Sequence, residues 1–306
     1  MGKRGVLRAL VVAFLAAWAL DVLAGGVFIV SRKGVESYND AKSGFIQMAY
    51  SLQIPGFNPK VVELDGTAAD DAALASLKAQ APDLVYAVGS LATKKVRQAI
   101  PDVWIVYGMV YYPEAEGFTG DPKMCGVASL GPTKPFVALL KTLTKAKSMA
   151  VLYARPIEPS VAELVSQFKN EGLDAVPRPV ADSAGLQAAF DGVKDQVKAV
   201  MILPDPVMAS QDAVRFLVSQ CVGAGLAPVT LSESLVASGA LCAAFYTPDT
   251  VGNQAARVAS EILKSGRAPA DKLVAPAEFS TALNKGTAEA MKIVAPKNLR
   301  VEITYE

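Results

Sequence analysis

Leu84-Val85-Tyr86-Ala87-Val88, followed at once by Gly89-Ser90-Leu91-Ala92, is the stretch that decides the fold. Five consecutive residues carry no charge and are apolar on both alternating faces. A strand of that kind belongs to a parallel sheet covered by helices on both sides. Gly89 then lets the chain turn sharply, and Ser90 stands where a hydroxyl caps a following helix. One strand, one glycine turn and one helix start make a βα unit.

The same unit recurs in both directions. Short, mostly Val-rich runs stand at 27–30, 61–64, 103–106, 149–153, 199–203 and 228–231. Between them lie stretches with the helical period. Phe136, Leu139, Leu140 and Leu143 fall at i, i+3, i+4 and i+7, and so do Val161, Leu164, Val165 and Phe168. Val214, Leu217, Val218 and Cys221 repeat the pattern, and Val251, Ala255, Val258, Ala259 and Ile262 form another stripe. Thr133 and Ser210 stand at helix starts, and Gly172 and Gly223 near helix ends, where a left-handed turn favours glycine. The reading is a doubly wound α/β fold.

The rhythm breaks once, at 111–122, where Pro113, Gly117, Gly120 and Pro122 leave no period. A strand-like piece at 126–130 and Gly131-Pro132 follow, and then the rhythm restarts. Two parallel-sheet lobes joined by a hinge fit this better than one continuous sheet. The expected division places 25–130 and 247–280 in the amino-terminal lobe, and 131–246 and 281–306 in the carboxy-terminal lobe.

Composition narrows the chemistry. The 306 residues are 52% hydrophobic and 19% charged, with 30 Lys+Arg against 29 Asp+Glu and a net charge of +1. This is a folded, nearly neutral chain without the basic face of a nucleic-acid binder. There is no histidine. That removes Ser-His-Asp triads, Cys-His dyads and His-ligated zinc. Cys125, Cys221 and Cys242 form no CxxC pair. Cys221 with Cys242 is the one conceivable bridge, and three small buried hydrophobes is the preferred reading. No metal, cofactor or catalytic residue is expected, and the chain reads as a binder, not an enzyme.

Residues 1–24 read MGKRGVLRALVVAFLAAWALDVLA. Lys3, Arg4 and Arg8 precede an apolar run, and Val22 and Ala24 suit the −3 and −1 positions of a cleavage site. This is the pattern of a secretory signal peptide, so the mature chain is expected in the periplasm. The rival reading, an uncleaved anchor, would put Asp21 in hydrocarbon.

Ligands of open α/β sheets bind beyond the carboxyl ends of the strands. That rule selects Ser31 after the first strand and Gly89, Ser90 and Leu91 after the third. It selects Tyr111 and Tyr112 after the fourth, and Tyr153, Arg155, Asp205, Glu233 and Tyr246 in the second half. A helix start behind Gly89-Ser90 with free N–H groups suits a carboxylate or phosphate, although an ordinary cap explains the same two residues. The tyrosines offer flat faces for a ring-bearing ligand or close the ends of the two cores. Asp205 and Glu233 are candidate acceptors for a ligand amine, and Arg155 a candidate anion partner. No GxGxxG or GxxxxGK[ST] occurs, and Lys94-Lys95-Arg97 reads as a solvated helix face.

The ordered set of elements resembles the ABC-transporter substrate-binding proteins of the type I periplasmic fold. The similarity is greatest to the bacterial group linked to aromatic amino-acid uptake. The residues that carry it are Ala41-Lys42-Ser43-Gly44-Phe45, 83–92 around Gly89-Ser90, 146–153 ending at Tyr153, 199–205 ending at Asp205, and 236–241 followed by Tyr246 and Gly252. The resemblance implies two lobes with crossings near Ser129, Thr247 and Thr281, and a small molecule trapped between them. It implies a membrane permease as partner, with no nucleic acid, and a monomer is expected. It assigns a ligand carboxylate to Gly89-Ser90 and a ligand amine to an acidic residue near Asp205 or Glu233. The chain departs from the family at 154–160, where two asparagines are missing and Arg155 appears. That departure moves the expected ligand towards a more acidic or otherwise different small molecule. A ligand sensor signalling to a membrane partner is the alternative function.

Overall fold

The computed structural model describes residues 25–306. The expected signal peptide lies outside the described residues. Among those described, no helix is long and apolar enough to cross a membrane.

The first sheet is built from β1 (Val27–Arg32), β2 (Lys60–Leu64), β3 (Leu84–Val88), β4 (Trp104–Gly108), β5 (Met124–Val127) and the short β11 (Leu273–Val274). All pair in parallel, in the order β11-β5-β4-β3-β1-β2. Every residue of β3 is buried, and alternation explains why. Leu84, Tyr86 and Val88 enter one core with Phe45 of α1 (Glu36–Ser51) and Val251 of α9 (Pro248–Ser265). Val85 and Ala87 enter the other, with Leu74 of α2 (Ala69–Ala79) and Val96 of α3 (Ser90–Ala99).

The second lobe holds β6 (Ser148–Ala154), β7 (Asp174–Val180), β8 (Ala199–Ile202) and β9 (Ala227–Val229), parallel in the order β7-β6-β8-β9. One face carries α4 (Thr133–Thr144) and α5 (Glu158–Asn170) through Phe136, Leu140, Val161 and Phe168. The opposite face carries α6 (Leu186–Asp191) and α7 (Gln211–Gly223) through Phe190, Val214 and Leu217. A third sheet joins β10 (Cys242–Phe245), β12 (Ser280–Asn284) and β13 (Ile303–Tyr305). Its β10–β12 pair is antiparallel, and a parallel bridge from Thr230 to Ala243 links it to β9. The short α8 (Glu233–Ala237) and α10 (Lys285–Ala290) pack around that junction.

The aperiodic stretch 111–122 connects β4 to β5 within the first sheet, and the chain leaves that sheet after β5. It returns between β10 and α9 and leaves again between β11 and β12, so three segments cross between the lobes. The first two crossings touch at Gly131. A methyl group on Gly131 would collide with the carbonyl of Ala244.

Several local expectations change. β7 is missing from the sequence reading because Pro177 and Pro179 interrupt its run. It tolerates them as an edge strand paired only with β6. Ser210 caps α7 by accepting from the Ala213 N–H at 3.1 Å. Thr133 makes no such bond and is simply the first residue of α4, after Pro132. Gly223 remains helical, and the left-handed residue beyond α7 is Gly225, with φ of 69°. All three cysteines are buried and free. Cys221 and Cys242 lie in cores on opposite faces of the second sheet, so no bridge joins them. Burial pushes both thiols up to about 12 and Cys125 up to about 11.

Candidate ligand-binding cleft

In the first sheet β1 and β3 are neighbours, but α1 leaves β1 towards one face and α3 leaves β3 towards the other. A crevice opens between such a pair at their carboxyl ends. Gly89 stands there with φ of 86° and ψ of 163°, a conformation open only to glycine. Its N–H donates to the Gly108 carbonyl at 2.8 Å. The Tyr38 hydroxyl lies directly over it, so that a methyl group at this position would collide with the ring. Ser90 is not the cap of α3, because Gly89 takes that place. Ser90 instead donates its hydroxyl to Glu116 Oε1 at 2.5 Å. Glu116 comes from the aperiodic loop 111–122. Burial pushes the Tyr38 phenol up, Tyr111 and Glu116 push it further, and Arg32 pulls it back.

The matching crevice of the second lobe lies between β6 and β8, and Asp205 closes it. Its Oδ2 accepts from the Ala154 N–H at 2.7 Å, and its Oδ1 from Val207 and Met208 at 2.9 and 3.0 Å. Burial pushes this carboxyl up against the pull of those donors. A ligand amine at Asp205 would share a carboxylate whose two oxygens already accept three backbone N–H groups. Those bonds tie the end of β6 to the turn after β8.

A cavity of about 160 Å³ lies between the lobes. The first lobe contributes Ser37, Met109, Tyr111 and Ser129, with Tyr246 and Pro248 from the returning crossing. The second contributes Leu231, Ser232, Glu233, Ser234 and Phe245. Glu233 opens α8, is half-buried, and accepts from the Tyr305 hydroxyl at 2.8 Å. Burial and the nearby Glu233 push Tyr305 up to about 12. Burial also raises Tyr111 and Tyr246, so the phenols around the cavity are neutral donors at neutral pH. A polar contact joins the lobes beside the hinge. Ser160 of α5 donates to Glu114 Oε2 at 2.7 Å.

Of the residues selected from sequence, Tyr111, Glu233 and Tyr246 share this cavity. Gly89 and Ser90 stand in the first-lobe crevice together with Tyr38 and Glu116. Tyr112 and Tyr153 belong to the second-lobe core, and Leu91 packs on the α2–α3 core. Ser31 is fully buried, and its hydroxyl has no hydrogen-bond partner among the described residues. Arg155 is exposed in the turn after β6 and does not line the cavity. Sequence reasoning did not single out Ser37, Tyr38, Glu116 or Pro248. The rule that selects strand ends reaches Ser37 and Tyr38 once the first turn of the following helix is included. Glu116 sits in a loop without period and gives no such signal. Among the described residues, no group of three His, Cys, Asp or Glu side chains could hold a metal ion.

Similar folds recur among solved structures. A Streptococcus pneumoniae ABC domain in complex with L-Trp is 16% identical, covers 92% of this chain and 99% of its own, and has a TM-score of 0.64. The ligand-free, open structure of a Clostridium difficile substrate-binding protein with adhesive properties is 14% identical. It has a TM-score of 0.72, with 92% and 99% covered. A periplasmic ribose ABC transporter from Conexibacter woesei is 14% identical, with a TM-score of 0.52 and 89% and 95% covered. At these identities the likeness is one of fold, namely two α/β lobes of the type I periplasmic binding proteins. No curated protein sequence matches this chain. The family model described as ABC transporter substrate binding protein matches residues 52–305, and the chain belongs to that family.

Proposed function

We propose that the chain is the solute-capturing component of an ABC import system. In this reading it works in the periplasm after residues 1–24 are removed. It acts as a monomer and delivers a small molecule to a membrane permease. The observation that carries the proposal is the cavity itself, which neither lobe encloses alone. Residues 25–130 with 247–280 supply one wall, and 131–246 with 281–306 the other. Tyr111, Tyr246 and Glu233 touch the solute, Gly89 and Ser90 shape the first-lobe corner, and Tyr112, Tyr153 and Asp205 hold the second lobe in place behind it. The role asks for binding and release without bond-making chemistry. A solute that contacts both walls favours the closed arrangement by its differential affinity for it.

A thermal-shift screen tests this. The panel holds amino acids, amines, organic acids, nucleosides and sugars. A cognate solute at a hundred times its Kd adds about 2.7 kcal/mol of stability. For a chain of this size that is a rise in Tm of roughly 5–10 °C. A panel in which no class moves the Tm would contradict the proposal.

A further inference from the structure

We infer that the solute held in this cleft is a small organic cation, a primary amine on an apolar body of about one ring, carrying no carboxylate. The inference rests on the solute-capture reading and narrows it. One observation is the character of the cavity. Met109, Tyr111, Leu231, Phe245 and Tyr246 give it apolar and aromatic walls, Ser37, Ser129, Ser232 and Ser234 add neutral hydroxyls, and Glu233 is the one carboxylate among its lining residues. No Lys or Arg lines it. Tyr305 donates to Glu233 through Oε1 alone, so the carboxylate keeps further acceptor capacity. An ammonium group placed there gains a charge-assisted bond and aromatic faces at once. A zwitterion would bring a second carboxylate into a wall that offers it no cation. The volume, about 160 Å³, matches a single ring, since a cavity of ~150 Å³ holds benzene.

The other observation is independent of the cavity. The start of α3 is where a ligand carboxylate would bind, and a protein carboxylate already stands beside it. Glu116 Oε1 accepts from Ser90 Oγ at 2.5 Å. A ligand carboxylate must either displace Glu116 or lie against it.

The test is calorimetric titration of the exported protein with 2-phenylethylamine, L-phenylalanine and 3-phenylpropionate, which share a ring and chain length and differ in their charged groups. The amine is expected to bind at least tenfold more tightly than the amino acid, with the carboxylate weakest. Glu233→Gln should weaken the amine at least tenfold. Glu116→Gln should narrow the amine's lead over the amino acid. The unliganded Tm of each variant confirms that it folds. The inference fails if the amino acid or the carboxylate binds as tightly as the amine in the native protein, if Glu233→Gln binds the amine normally, or if none of the three binds. In that last case, binding of a neutral solute such as a sugar overturns the cation and leaves solute capture standing. Silence from every class overturns both.

Discussion

Replacing Gly252 by alanine is expected to cost about 3 kcal/mol or more of stability, at the upper end of what overpacking costs. In a protein of this size that lowers the Tm by roughly 6–10 °C. The reason is the crossing of α1 and α9. A methyl group on Gly252 would collide with the Ala41 carbonyl and press on the Phe45 N–H, and one on Gly44 would collide with the Asp249 carbonyl. Both obstacles are backbone, so no side-chain rotation relieves them, and the helices must separate. The strain reaches the cleft, because α9 begins at Pro248, which lines the cavity just beyond Tyr246. Gly223→Ala is the control. An added methyl group there meets nothing within 4 Å, and the residue is helical. A gain of about 0.5–1 kcal/mol is expected. Thermal denaturation of the two variants side by side checks both signs.

Asp205→Ala is expected to cost about 2–3 kcal/mol, since it strands the buried N–H groups of Ala154 and Val207, while Met208 keeps the backbone carbonyl of residue 205. It should also loosen the rim of the second lobe, where Ala154 and Met208 are tied together. Asp205→Asn removes the titrating group and keeps one of its two acceptor oxygens. Burial raises the Asp205 carboxyl above its ordinary value. The folded protein therefore holds that proton more tightly than the unfolded chain. The contribution to stability is full below the ordinary aspartate range and is lost as the pH rises through the raised value. The asparagine variant loses this slope. Urea titrations across the acid range check it, and an unchanged slope in Asp205→Asn would show that another group titrates there.

The lobes were legible in the sequence because their central strands are buried on both faces. A run such as Leu84–Val88 can be read no other way. The edges were not. β7 carries two prolines that only an edge position tolerates, and β11 and β13 are too short to show a period. In the site, the strand-end rule found Tyr111, Glu233 and Tyr246 because that rule follows from topology alone. It also selected Asp205, Tyr112 and Tyr153, which stand at the same kind of position but turn into the second lobe. Which way a side chain leaves a strand end depends on a residue far along the chain. For Asp205 that partner is the Ala154 N–H, and for Ser90 it is Glu116, both beyond the reach of local patterning. Arg155 had the chemistry for an anion partner, but the turn after β6 carries it into solvent.

The most direct test of the central claim is the position of the bound solute. The measurement is a crystal structure of residues 25–306 with the solute that raises the Tm most. The account predicts density in the cavity between the lobes, with an aromatic face of Tyr111 or Tyr246 against the apolar body and Glu233 within hydrogen-bond distance of its charged group. Density on the outer surface of one lobe, or in the cleft but away from Glu233, would contradict it.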